Sequence, residues 1–317
     1  MNSIFHMSFI LENTEITLYF THDMYIKHNT LSSLPHMHSI HEMFILLKGN
    51  LCFEGNFKNI NITKNDICII PPQTLHATIV PPEMYTSSIS LFFSYKKAAV
   101  TSYSFNLYNY ISCLSMKNYK PVIFNGSHLI ISNLVDTINQ IQNNTFSDLQ
   151  KAKTTHNLSL LFISLCENFI RFDIKTECLY EKPIDYYINV LYLDTIVSKY
   201  SSPEHMFDIN LRELENIFFL STRQIQNIFK SEYSMTMKKY NNTMRMEFAA
   251  FVLRHFPRSS ISSIALVCNY SSPETFCLMF KKYFNSSPLK YKAAYRSVDL
   301  SHCLFNNTKK IHTSNNF

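Results

Sequence analysis

Apolar and polar positions follow two different periods along this chain, and the change of period divides it. Over residues 1–100 the apolar residues come in short runs: Ile16–Phe20, Met43–Lys48, Leu51–Phe53, Ile60–Ile62, Ile67–Ile70 and Ile89–Phe93. Groups such as Gly49-Asn50, Gly55-Asn56 and Pro71-Pro72 separate them. Runs of this length between such breakers predict strands. Strands at this spacing predict a β-sandwich or a jelly-roll barrel.

From Ser127 the period becomes helical. Leu134, Ile138 and Ile141 share one face. Leu158, Leu161, Phe162, Leu165 and Phe169 form a second stripe at i, i+3, i+4, i+7 spacing. The stripe can pack on the strands before it or pair two subunits, and the second is the sharper expectation. Residues 173–182 read as a linker, and Pro183 suits the first turn of a following helix. Helices are then expected over Ile184–Lys199, Leu211–Phe218, Thr222–Lys230, Met237–Leu253, Ile261–Cys268 and Ser272–Phe284. Ser221 is suited to cap the third of these, and Pro273 to open the last.

Two of these stretches repeat one another. Ile225, Phe229, Lys230, Thr236 and Tyr240 answer to Phe276, Phe280, Lys281, Ser287 and Tyr291. Each copy reads as helix, tight turn and second helix, which is a helix-turn-helix unit. Two such units on one rod point to DNA.

Charge sharpens that reading. The net charge is +6, and it is unevenly placed. Residues 1–182 hold 13 Lys and Arg against 13 Asp and Glu, whereas residues 183–317 hold 16 against 10. Lys281, Lys282, Lys290, Lys292 and Arg296 fall in one stretch without an acid. A solvated helix face would explain such a run, but its coincidence with the repeat favours phosphate contact.

Composition excludes other classes. No apolar run is long enough to span a bilayer, and no basic start precedes an apolar block, so neither a membrane protein nor a secreted one is expected. The 8 Cys contain no CxxC pair; buried free thiols in a reducing cytosol fit better than disulfides. The expected location is the cytoplasm, at the nucleoid. Only 3 Gly occur, so positions wanting positive φ must use Asn or Ser.

The strand-rich half holds a set of metal-ligating types. His36-Met37-His38 is followed by Glu42 and then Gly49; Asn65, Pro71 and His76 come later. This resembles the paired motifs of the cupin barrel, HxH-x3-E-x6-G and G-x5-P-x-G-x2-H, with Asn65 and Gln73 where two glycines stand. The resemblance implies a three-histidine, one-carboxylate set of His36, His38, Glu42 and His76. Such donors suit a divalent iron, zinc, manganese or nickel ion. Alternation of His36 and His38 along one strand would point both to one face. The other reading is a barrel mouth or effector pocket that binds no metal. His41 falls off that parity and is expected at the surface.

The C-terminal segments LSTRQIQNIFK, RMEFAAFVL and SIALVCNYSSPETFCLMFKKYFNSSPLKY resemble the arabinose-regulator (AraC/XylS) family of bacterial transcription factors. A cupin-like front half is that family's usual companion. The resemblance implies a multidomain α+β protein. An effector-sensing barrel would cover 1–125, a helical dimerisation or packing segment 126–172, and a linker 173–182. Tandem helix-turn-helix units would cover 183–297, joined by a long helix, and a polar tail 298–317. It also implies base-facing positions at Thr222, Arg223, Gln226 and Asn227 in the first unit, and at Pro273, Glu274, Thr275 and Leu278 in the second. Lys230, Lys281 and Lys282 would touch phosphates. Promoter DNA, RNA polymerase, a second copy of the chain and a small-molecule effector are the implied partners. The expected function is sequence-specific transcriptional regulation, commonly activation, without catalysis. The competing expectation is a cupin metalloenzyme or metal sensor with a DNA-binding appendage. Departures from the family pattern are Asn227 and Leu278 in place of Arg, Ser234, Asn269 and Asn285 in place of turn glycines, and Glu215 in place of a small residue.

Overall fold

The computed structural model describes residues 5–20, 27–29, 33–81, 84–100, 102–112, 121–143, 145–167, 189–191, 193–194, 196–197 and 205–295. The expected linker, the polar tail, Phe169 and Arg296 lie outside the described residues.

The first half is built on two sheets. Strands β1 (Phe5–Leu11), β2 (Thr14–Phe20), β3 (Lys27–Asn29), β4 (His41–Lys48), β7 (Asp66–Ile70), β9 (Thr86–Lys97) and β10 (Val122–Asn125) form the larger sheet. Its order is β1-β2-β9-β4-β7-β10, with β3 paired to β9. Strands β5 (Leu51–Gly55), β6 (Ile60–Ile62) and β8 (His76–Ile79) form the smaller sheet, in the order β6-β5-β8. All named strand pairs are antiparallel.

The continuous apolar runs of β4 and β7 follow from burial on both faces. Met43, Ile45, Ile67 and Ile69 belong to one core, which also holds residues of helices α2 (His128–Gln142) and α3 (Asp148–Glu167). Phe44, Leu46, Cys68 and Ile70 point the other way, into a core shared with Leu51, Phe53 and Ile62 of the smaller sheet. A short helix, α1 (Leu107–Ser112), joins the first core through Leu107 and Ile111.

Two expectations change here. Leu158, Leu161, Phe162 and Leu165 are at most 1% exposed, and Phe162 packs on Phe9 and Phe93. These four positions are therefore spent on this chain's own core, and no second subunit can use them. His41 is not at the surface: it is 5% exposed and stacks on Phe93 with centroids 4.9 Å apart. Being off the parity of His36 and His38 does not expose it, because the helices cover that face of the sheet too. Burial pushes its imidazole pKa down to about 3.

The second half is helical: α4 (Leu211–Phe218), α5 (Thr222–Tyr233), α6 (Met237–His255), α7 (Ile261–Val267), α8 (Pro273–Phe284) and α9 (Pro288–Ala294). The repeat is visible in the caps. Asn210, Ser221 and Thr236 accept backbone N–H bonds at the starts of α4, α5 and α6. Ser260, Ser272 and Ser287 do the same for α7, α8 and α9. Left-handed backbone repeats as well, at Phe219 and Asn269 after the first helix of each unit, and at Ser234 and Asn285 after the second.

The two halves share a core. Met37, Leu75, Ala77 and Ile79 cluster with Phe229, Tyr233, Tyr240, Phe251 and the rest of the helical interior. Polar contacts reinforce the seam. Glu54 meets Arg254 at 2.7 Å and His255 at 2.6 Å, and Gln73 Nε2 donates to the Glu232 carbonyl at 2.6 Å. Among the described residues no helix is long and apolar enough to cross a membrane.

Candidate nucleic-acid interface

The second helix of each unit is held by an apolar edge and leaves a polar one free. In α5, Ile225 and Phe229 are buried, whereas Arg223, Gln226, Asn227 and Lys230 are exposed. In α8, Phe276 and Phe280 are fully buried, whereas Glu274, Thr275, Leu278, Lys281 and Lys282 are exposed. Leu278 reaches 71% exposure, so its apolar side chain is offered to solvent rather than to the core. Tyr283 keeps core spacing but is 42% exposed, with its hydroxyl donating to Glu247 at 2.9 Å. Pro273 is half-buried at the first helical position.

The starts of these helices are strongly defined. Ser221 and Gln224 form a capping box on α5. Glu215 adds a second device: its Oε1 accepts the Thr222 N–H at 2.8 Å and also the Thr222 hydroxyl. The unusual carboxylate in the first helix thus caps the second, and Thr222 is engaged inside the unit. A carboxylate there suits the positive end of the helix dipole. It also sets a negative charge beside the exposed edge of α5.

Of the basic stretch, Lys281, Lys282 and Lys290 are exposed, whereas the Lys292 amine donates to the Ser259 carbonyl at 3.1 Å. That bond ties α9 to the loop before α7, a structural use that spacing alone does not reveal.

The strand-rich half brings its four ligand types together. The donor atoms of His36, His38, Glu42 and His76 all lie within 4.8 Å of one another. They do not share one strand: Glu42 is on β4 and His76 on β8, whereas His36 makes an isolated bridge to His76 and His38 lies in the connection. Glu42 Oε2 lies 3.4 Å from His38 Nε2 and 3.2 Å from His76 Nε2. Burial, followed by the neighbouring His76 and His38 rings, holds the His36 imidazole well below its ordinary pKa.

The connection between this cluster and the helices was missed by sequence reasoning. Asp194 is 4% exposed and accepts from the Ser39 N–H at 3.1 Å and the Ser39 hydroxyl at 2.7 Å. It also accepts the hydroxyl of Tyr233, in the last turn of α5. Burial raises the Asp194 carboxyl above its ordinary pKa, against the opposing pull of His38 and of its hydrogen-bond donors. An acid within an apolar helical stretch is the only trace of this bridge in the sequence.

Comparison with known proteins agrees with the helical half. A helix-turn-helix domain family matches residues 214–294. An uncharacterized HTH-type transcriptional regulator of Haemophilus influenzae is 30% identical over 93 residues, 29% of this chain and 30% of the relative. The HTH-type transcriptional activator RhaR of Mannheimia succiniciproducens is 34% identical over 68 residues, 22% of this chain and 24% of the relative. The chain thus spans about a third or less of the length of these relatives. The crystal structure of ToxT from Vibrio cholerae aligns with 90% of this chain and 100% of its own, at 14% identity and a TM-score of 0.34, a likeness too loose to assign a ligand. Residues 214–294 thus match a helix-turn-helix domain, and over this part the chain is similar to HTH-type transcriptional regulators.

Proposed function

We propose that the protein is a sequence-specific regulator of transcription that grips duplex DNA with α5 and α8. The observation that carries this reading is the duplicated unit with a buried apolar edge and an exposed polar one. Arg223 favours guanine, and Gln226 or Asn227 favours adenine, through paired hydrogen bonds in the major groove. Helix α6, 19 residues long, joins the units. It spans about 28 Å, of the order of one duplex turn of about 34 Å.

The two units divide the work. The first presents Arg223, Gln226 and Asn227 for base identity. The second presents Leu278, Thr275 and Glu274 beside Lys281 and Lys282, a face suited to thymine methyl contact, DNA shape and phosphate grip. The boundaries 1–125, 126–172 and 183–297 serve as working domains, the first a cupin-like sensor. Activation through RNA polymerase and pairing of two chains on DNA are part of the same proposal. The surface for pairing must lie elsewhere than on the buried stripe of α3.

Selection from a random duplex library with the full chain tests the reading. Enrichment of a bipartite motif is expected. Recovery of sequences no different from the input library would overturn it.

A further inference from the structure

We propose that the strand-rich half is a splint laid along α6, which fixes the angle and spacing of the two reading helices, with Ser39, Gln73 and Glu54 as its positioning residues. The proposal rests on the DNA-binding reading above.

The polar contacts across the seam fall at the two ends of α6. Glu232 and Tyr233 close α5 just before α6 begins at Met237, and Arg254 and His255 are the last residues of α6. At the first end, Gln73 Nε2 donates to the Glu232 carbonyl at 2.6 Å. Beside it, Asp194 accepts the Tyr233 hydroxyl while it holds the N–H and hydroxyl of Ser39. At the second end, Glu54 meets Arg254 at 2.7 Å and His255 at 2.6 Å. The same guanidinium reaches further: its Nη1 donates to the Tyr291 hydroxyl at 2.6 Å.

Each line of contacts ends on a reading helix. The Tyr233 ring stacks on Phe229, a buried anchor of α5, with centroids 4.3 Å apart. The Tyr291 ring lies 5.3 Å from Phe280 and 4.9 Å from Phe284, both on α8. The two copies of the repeat are gripped through different residues. Tyr233 answers to Phe284 in the second copy, which has no hydroxyl to offer. The second copy is reached through Arg254 and Tyr291 instead.

These bonds do what an apolar seam cannot. Met37, Leu75, Ala77 and Ile79 join the helical core by burial, which has no direction and tolerates sliding. Charge-assisted hydrogen bonds are short and directional. Glu54, Asp194 and His255 are buried, so a unit that rocks on α6 strands groups that water cannot reach. A lone helix resists stretching but bends gently along its length. Fastening both of its ends to one body of sheet removes that freedom.

The test uses the full chain and the selected duplex, with one base pair inserted or removed between the two halves of its motif. Either change moves the halves by about 3.4 Å and by about a tenth of a turn. Wild type should lose about tenfold or more in affinity at either altered spacing. Tyr233→Phe with Tyr291→Phe deletes both hydroxyls and keeps both rings. In that variant the penalty should fall below about threefold, and Glu54→Gln, which loosens one end, should lie between. Gln73→Asn, whose shorter amide no longer reaches Glu232 and which tolerates the positive φ there, supplies the same ratio if the double variant fails to fold. Wild-type tolerance of the altered spacings would overturn the splint. So would variants that lose affinity alike at all three spacings, the mark of a seam that only stabilises the fold. Failure to select any duplex would instead overturn the DNA reading on which the splint rests.

Discussion

Glu54 of β5 and His255 at the end of α6 meet at 2.6 Å across the seam between the sheets and the helices, with Arg254 at 2.7 Å on the other carboxylate oxygen. Burial pushes the Glu54 carboxyl up, but the His255 hydrogen bond and the Arg254 charge outweigh it and leave the pKa below its ordinary 4.5. A lowered carboxyl pKa stabilises the fold fully above that ordinary value, and the contribution is lost as pH falls through the folded one. Glu54→Gln should therefore weaken the seam by roughly 2–4 kcal/mol near neutrality and flatten the acid limb below about pH 4.5. Urea unfolding of wild type and variant across that range checks both. Parallel acid limbs would show that the contact does not hold the halves together.

Arg223 and Gln226 project from the exposed edge of α5. Replacing both with Ala should relax base preference at the positions they read, by about 1–3 kcal/mol each. Binding measured across a panel of single-base variants of the selected site shows the pattern. Uniform weakening at every sequence would argue against direct readout.

Lys281 and Lys282 are exposed at the end of α8 and should act through phosphates. Their replacement by Ala should lower the salt slope of binding by about 0.9 for each phosphate they neutralise, with sequence preference kept. An unchanged slope would place them away from the backbone.

Glu215 caps Thr222 at the start of α5 and adds a negative charge to that edge. Glu215→Ala should cost about 1 kcal/mol of helix stability. It should raise DNA affinity at low salt, with the gain fading as salt screens the charge. Thermal unfolding and binding at two ionic strengths separate the effects. Equal affinity at low salt would mean that no phosphate comes near this end of the helix.

Phe219 sits at φ 53°, in left-handed backbone, and is 91% exposed. A bulky side chain is strained there, and an exposed ring returns little burial. Phe219→Gly should stabilise the helical half by up to about 1 kcal/mol, read as a shift of the urea midpoint. A loss of stability would show that the ring has a partner on the folded chain.

The expectations from the sequence succeeded where the physics is local. The helices of the repeat, their serine caps and the buried Ile225, Phe229, Phe276 and Phe280 follow from spacing and from the hydrogen-bond needs of helix ends. The residues standing where turn glycines were expected, Asn65, Gln73, Ser234, Asn269 and Asn285, all adopt positive φ, so the backbone demand outlasts the change of residue. Short strands such as Lys27–Asn29 and Val122–Asn125 were not legible, because three or four residues carry too little alternation to read.

By itself, the sequence determined two helix-turn-helix units, their inward and outward faces, a strand-rich half and the residue types of the histidine cluster. Period, capping and charge act over a few residues, and one chain displays them in order. Only the tertiary structure decided what each surface meets. It buried His41 and the α3 stripe, because helices cover the second face of the sheet. It closed His36, His38, Glu42 and His76 from separate segments. It set Asp194 between Ser39 and Tyr233, and Glu54 against His255. These are contacts between groups far apart along the chain, and no local period encodes which distant element will come to rest against them.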